Sequence, residues 1–98
     1  MTTLVRSKSM TLRFPNQSRS FDDKRNRVRF WGYDSAIEIS FFVEADALQE
    51  LSLEMSGTED ASLKAFDAAR ERIQEVAANV YVRDHKGSYA YTLVAKDF

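Results

Sequence analysis

Few residues in this chain could do chemistry, and only one group of them forms a pattern. His85 is the sole histidine, in the run Arg83-Asp84-His85-Lys86-Gly87. As a general base it would need a carboxylate to orient it and a nucleophile to serve. Asp84 is its sequence neighbour, but adjacent residues need not face each other, and no Gly-x-Ser-x-Gly elbow supplies a nucleophile. The run reads instead as an exposed turn. There are no cysteines, which excludes disulfides, thiol catalysis and thiolate metal sites. Asp22-Asp23 and Glu59-Asp60 are simple acidic pairs, the second suited to a helix start, and neither has metal-ligand spacing. Gly32, Gly57 and Gly87 are isolated, each at or near an expected turn, so no glycine-rich phosphate loop exists. The residues therefore imply no cofactor, no metal and no catalytic set, and an enzyme ranks last among the functional readings.

The pattern lies elsewhere. Lys24 and Arg25 lead into Arg27, Arg29, Trp31 and Tyr33, which alternate onto one face of a strand, and Phe42 joins them from the next strand. Cations interleaved with rings are what single-stranded nucleic-acid binders use, charge for phosphates and ring faces for bases. Large aromatic patches on small domains also mark protein interfaces. Glu38 opposite Trp31 offsets Arg29, and Phe42 extends an apolar path rather than a cationic one. The leading reading is thus a non-catalytic protein-interaction module, homodimeric through Arg27, Arg29, Trp31, Tyr33 and Phe42. Nucleic-acid binding through the outer face of the Arg27–Val43 hairpin is the second.

These side chains must be positioned by a small number of elements. Met10, Leu12 and Phe14 alternate with Thr11 and Arg13, a short strand ended by Pro15. Asn16 to Ser20 is loop by composition. Arg27–Tyr33 and Ala36–Val43 read as a hairpin turning at Asp34 and Ser35. In the expected register Gly32 faces Ile37, Phe30 faces Ile39 and Val28 faces Phe41 on an apolar side, with Trp31 opposite Glu38, Arg29 opposite Ser40 and Arg27 opposite Phe42 on the other. A slip of one residue would turn Arg29 and Trp31 into the core. Ala45–Met55 reads as a helix with Leu48, Leu51 and Met55 on one face. Thr58 or Asp60 then caps a long second helix reaching about Val82. There Leu63, Phe66, Arg70, Ile73, Ala77 and Val80 recur at spacings of three and four. Arg70 interrupts that stripe and is placed to lay its stem on apolar neighbours while reaching Asp67. Ser88–Val94, rich in Tyr, Thr and Val, makes a last strand with Tyr89, Tyr91 and Leu93 on one face. The fold class is α+β: a two-layer, mostly antiparallel four-stranded sheet with two helices on one face, in the order β-β-β-α-α-β.

The ordered set Met10-Thr-Leu-Arg-Phe14, Phe21-Asp22, Val28-Arg-Phe30, the alternating strand into Ala47-Leu48, and Phe66, Arg70, Ile73, Ala77 resembles the short bacterial proteins grouped as domain of unknown function 1488. The resemblance spans nearly all of Met10 to Phe98. Phe21 stands where many relatives have Trp, and Glu44 where a Ser would cap the first helix. It implies a bacterial, cytoplasmic, single-domain protein and carries over no activity, cofactor or site residue.

Ninety-eight residues, 44% of them hydrophobic, suffice for one core. Residues 1–9 lack any packing pattern and read as a flexible extension to a single domain over 10–98. No apolar run approaches the roughly 20 residues that cross a bilayer, and Met1 to Met10 lacks a secretory apolar stretch. The formal net charge of −1 hides an asymmetry. Up to Phe30 there are eight basic against two acidic residues, a balance of +6; from Trp31 onward there are six against thirteen, −7. That asymmetry fits an anionic partner, two oppositely charged surfaces meeting in an oligomer, or a fold in which the two halves of the sequence interleave.

Overall fold

The computed structural model describes residues 12–15, 17–51 and 58–98. The expected extension over residues 1–9, Met10 in the first strand, Met55 on the first helix and the turn glycine Gly57 lie outside the described residues. Among the described residues there are five strands: β1 (Leu12–Arg13), β2 (Ser20–Asp22), β3 (Arg27–Asp34), β4 (Ile37–Glu44) and β5 (Ala90–Leu93). Three helices, α1 (Ala45–Leu51), α2 (Glu59–Ala68) and α3 (Arg70–Arg83), lie between β4 and β5, and a 3-10 turn follows at Ala95–Asp97. The sheet runs β1-β3-β4-β5, with β2 also on β3. The mixed α+β class stands, with one strand and one helix more than the periodicity predicts.

The hairpin β3–β4 carries the sheet. Val28, Phe30, Ile39, Phe41 and Val43 point inward, fully or almost fully buried, against Leu48, Phe66, Ile73, Ala77 and Val80 from the helices. The expected faces are correct and the expected register is not. Phe30 pairs with Phe41, Val28 with Val43 and Gly32 with Ile39, two residues along from the expected partners. Two residues is a full strand period, so every side chain keeps its face. The cause is the turn. Asp34 and Ile37 close a two-residue loop of Ser35 and Ala36 in which Ser35 takes φ 58°, the sign pattern of the turn whose twist matches a hairpin. Asp34 is fixed there by the Tyr81 hydroxyl, which donates to it at 2.6 Å.

The extra strand, β2, overlaps the expected Asn16–Ser20 loop only at Ser20, and its Phe21 and Asp22 carry no expected element. The chain follows β3 as β1, leaves the edge at Phe14, and returns as β2, with Phe21 opposite Val28. The departure has a use. The Phe14 ring crosses Gly32 to reach Phe30 (5.9 Å) and Phe41 (6.1 Å). A Cβ on Gly32 would lie 2.8 Å from both the Phe14 ring and the Arg13 carbonyl oxygen. Gly32 is therefore required inside a strand by close approach, not at a turn by backbone freedom. Arg19 meanwhile forks onto both oxygens of Asp67 (2.9 and 2.7 Å). Arg70 donates to Asp67 (2.9 Å) and to the Gln17 carbonyl (3.0 Å) with its guanidinium 4.8 Å from the Phe66 ring centre, the placement its interruption of the stripe implied. These contacts clasp the edge excursion to the helices.

Thr58 caps α2 by accepting from the Ala61 amide (3.1 Å). The long helix is two: at Ala69 (φ −111°, ψ 19°) the backbone departs from helical values, and its amide is shared between the Ala65 and Phe66 carbonyls. No residue of the sequence accounts for the break. α3 ends with Lys86 N–H on the Tyr81 carbonyl and His85 N–H on the Val82 carbonyl, His85 holding φ 56°, the arrangement in which glycine is usual. Because three helices carry the chain back along the sheet, β5 joins β4 in parallel, as a helical crossover requires. It starts at Ala90, so Tyr89 is not on the core face with Tyr91 and Leu93; it is 69% exposed.

Phe66 is fully buried with its ring 5.1 Å from that of Phe30, and Phe66→Ala is expected to cost about 3–5 kcal/mol in chemical denaturation. A near-neutral result would mean that the helix does not pack on the sheet. Gly32→Ala is expected to cost about 1–3 kcal/mol, because backbone and a core ring must both move; an unchanged denaturation midpoint would show the edge to be loose. Hydrogen bonds from Arg19, then Arg70, hold the Asp67 carboxyl below its usual 3.8. A depressed carboxylate contributes above its unfolded pKa and loses that contribution as pH falls through the folded value. Asp67→Asn should therefore weaken the protein at neutral pH by up to about 1 kcal/mol, the scale of an exposed pair. The gap should close on titration below about pH 4. Parallel pH–stability curves would contradict the clasp.

Candidate functional site

The alternation that buries Val28, Phe30, Ile39 and Phe41 sends Arg27, Arg29, Trp31, Tyr33 and Phe42 to the opposite side. All five expected surface residues share that face, and each is half-buried among its neighbours. Every helix packs on the other side of the sheet, so among the described residues none covers this one. Pairing places Arg13 beside Tyr33, Trp31 beside Ser40, Arg29 beside Phe42, and Asp22 beside Arg27 beside Glu44. The expected pairings of Arg27 with Phe42 and of Arg29 with Ser40 become diagonal contacts through the two-residue shift.

The cations do not stand free. Arg27 donates Nε to Asp22 at 3.0 Å while its guanidinium lies 3.8 Å from the Phe42 ring centre. Arg29 donates to Glu38 (3.2 Å) and to the Ser40 hydroxyl (3.1 Å), 4.8 Å from the Trp31 ring centre. Each ring thus carries a guanidinium, and each guanidinium an anchoring carboxylate. The bond from Arg27 also holds the Asp22 carboxyl below its usual range. Individually such exposed contacts contribute about 0.2–1 kcal/mol. Together they fix a planar, charge-paired coat over two rings that would otherwise present apolar surface. Phosphate binding would require breaking these pairs, and base stacking would require displacing the guanidinium groups.

Both sheet edges are partly blocked. Ser40 N–H bonds the Tyr89 carbonyl, so Ala90 turns its own amide and carbonyl outward, and the Ser88 hydroxyl engages both (3.3 and 3.1 Å). The Val94 amide is taken by Asp97 (2.9 Å). On the other side, the departure from the edge at Phe14 and Pro15 separates β1 from β2. Capping and interruption of this kind oppose edge-to-edge pairing.

His85 sits in the exposed turn after α3, and among the described residues no carboxylate meets its ring. Asp84 instead accepts from the Tyr91 hydroxyl at 3.0 Å. Burial first, then the bond to Asp84, raises the Tyr91 phenol above its ordinary 10.0, and burial and Asp34 raise Tyr81 further. Both remain hydrogen-bond donors at neutral pH rather than bases. Among the described residues no group of three or more His, Cys, Asp or Glu could hold a metal ion, and no helix is long and apolar enough to cross a membrane. Sequence reasoning missed the anchoring carboxylate Asp22, which the Asp22–Asn26 turn brings under Arg27; the strand-forming Ser20-Phe21 before it was the available signal.

No curated protein matches this sequence. The fold is similar to the crystal structure of a protein of unknown function from the DUF1488 family of Shewanella loihica PV-4. The two superpose with a TM-score of 0.70 over 85% of this chain and 91% of that one, at 16% identity, a likeness of fold alone. The model of that family, proteins of unknown function, matches residues 12–93, from the first residue of β1 to the last of β5. With strands, core and helix stripe all inside the matched span, the chain belongs to the DUF1488 family.

Proposed function

We propose that this protein is a non-catalytic protein-interaction module of the bacterial cytoplasm that works through the outer face of its sheet, with a second copy of itself as the first partner. The observation that carries this reading is the paired coat on a face that no helix covers among the described residues: Arg27 on Phe42 with Asp22, and Arg29 on Trp31 with Glu38. A face bearing both signs of charge over aromatic rings can complement itself, as an isologous interface requires. Among the described residues no helix covers this face. Its extent sets the strength. Seven residues of β3 at about 3.4 Å and four strand widths at about 4.8 Å give a footprint of about 24 by 19 Å. That is below the ~800 Å² per partner of a standard stable interface, so association is weak and depends on concentration.

Nucleic-acid binding is the second reading, supported by the same Arg27, Arg29 and Trp31 constellation. Sedimentation over a range of concentrations, with and without a single-stranded oligonucleotide, separates the two. The expected result is a monomer–dimer equilibrium that Trp31→Ala shifts to monomer. A protein that stays monomeric at high concentration, and binds oligonucleotide with an affinity falling steeply as salt rises, would overturn the proposal in favour of the second reading.

A further inference from the structure

Two charges on the outer face have no ion-pair partner among the described residues, and they lie at opposite corners. Arg13 is on the edge strand β1 beside Tyr33, at the turn end of the hairpin. Glu44 closes β4 beside Arg27, at the far end. Every other charge on this face is taken: Arg27 by Asp22 and Arg29 by Glu38. Arg25 and Glu44 line one shallow groove without meeting at ion-pair distance. An unpaired cation and an unpaired anion at opposite ends of an otherwise neutralised face are an asymmetry that a single copy does not resolve.

Resting on self-association through this face, we infer that two copies pack in one orientation, set by reciprocal ion pairs between Arg13 of each and Glu44 of the other. On the flattened pairing grid, the corners are separated by six residues along β3, about 20 Å, and by two strand spacings, about 10 Å. Their midpoint falls on β3 between Arg29 and Trp31. A two-fold axis through that point, lying between the two sheets and perpendicular to the Arg13–Glu44 diagonal, brings each Arg13 over the partner's Glu44. The same axis brings Trp31 to within a strand spacing of the partner's Phe42. One operation therefore matches both unpaired charges and both rings, which is what a self-complementary patch must do. A second copy is the occupant that supplies this exchange without any further protein.

Charge reversal tests the orientation. Arg13→Glu and Glu44→Arg should each raise the dimer dissociation constant about tenfold, because each puts two like-charged pairs into the dimer. The double variant, which restores opposite signs, should return to within about threefold of the parent. Lys64→Glu, an equal change of charge on α2 and off this face, should leave the constant unchanged. Circular dichroism confirms that each variant is folded. If the parent dimerises and Trp31→Ala dissociates it, but the reversals act like Lys64→Glu or the double variant fails to recover, the ion-pair lock is wrong while association through the face stands. If the parent never dimerises, both fail. A complex formed only with another protein or with nucleic acid counts as that second outcome.

Discussion

The cross-strand contact of Phe30 with Phe41, rings stacked at 5.3 Å, is the interaction on which the rest of the structure depends. Phe30 meets Phe66 of α2 at 5.1 Å, Phe41 meets Tyr91 of β5 at 5.8 Å, and Tyr91 meets Tyr81 of α3 edge-on at 5.8 Å. Phe14 rests on both members of the pair. One aromatic chain therefore joins the edge excursion, the hairpin, two helices and the last strand. Contacts of this kind add about 0.5–1.5 kcal/mol each beyond area burial. Their larger effect is on register, since sliding β4 against β3 by two residues would keep the faces and separate these rings. The turn at Ser35 and the aromatic chain specify the same pairing, and agreement between local and tertiary preference makes a single register stable.

The charge asymmetry of the sequence is partly offset in three dimensions. Arg19 crosses to Asp67 and Arg29 to Glu38, each joining the basic first third to the acidic remainder. Arg70, from the acidic portion, returns to the Gln17 carbonyl. The two halves of the sequence interleave, because the strands contributed by the basic segment lie beside β4 and under α2. Of the six basic residues described before Trp31, Arg19, Arg27 and Arg29 are held in ion pairs while Arg13, Lys24 and Arg25 are not, and the two cations that lie on aromatic rings are among the paired ones.

Legibility followed the strength of the pattern. Alternation in β3 and β4, with a core on one side, left only one assignment of faces, and the stripe from Phe66 to Val80 was more economically core-facing than partner-binding, although it spans two helices. Arg70, the one charge in that stripe, had an unambiguous use in reaching Asp67. Register was harder. Face assignment repeats every two residues, so hydrophobic pattern alone cannot distinguish pairings two residues apart; the φ of Ser35 and the Tyr81–Asp34 bond do, and both are tertiary. β2 was obscured because three residues, Ser20-Phe21-Asp22, cannot establish a period. Gly32 was read as a turn glycine because its actual constraint, the Phe14 ring, comes from eighteen positions away. The five surface residues were identifiable as one face; their anchoring by Asp22, and the diagonal use of Glu38, were not.

Among the described residues all three helices lie on one side of the sheet and none lies on the other. A sheet side left to solvent ordinarily becomes polar throughout. Here it keeps Trp31 and Phe42, and keeps them flat by laying Arg29 and Arg27 across them. Lysine would not serve equally: a planar guanidinium can stack on a ring and hold a carboxylate at once, whereas an ammonium is a strongly hydrated point charge. Arginine at both positions therefore meets two demands at once, lying flat on the Trp31 and Phe42 rings while holding the carboxylates of Glu38 and Asp22.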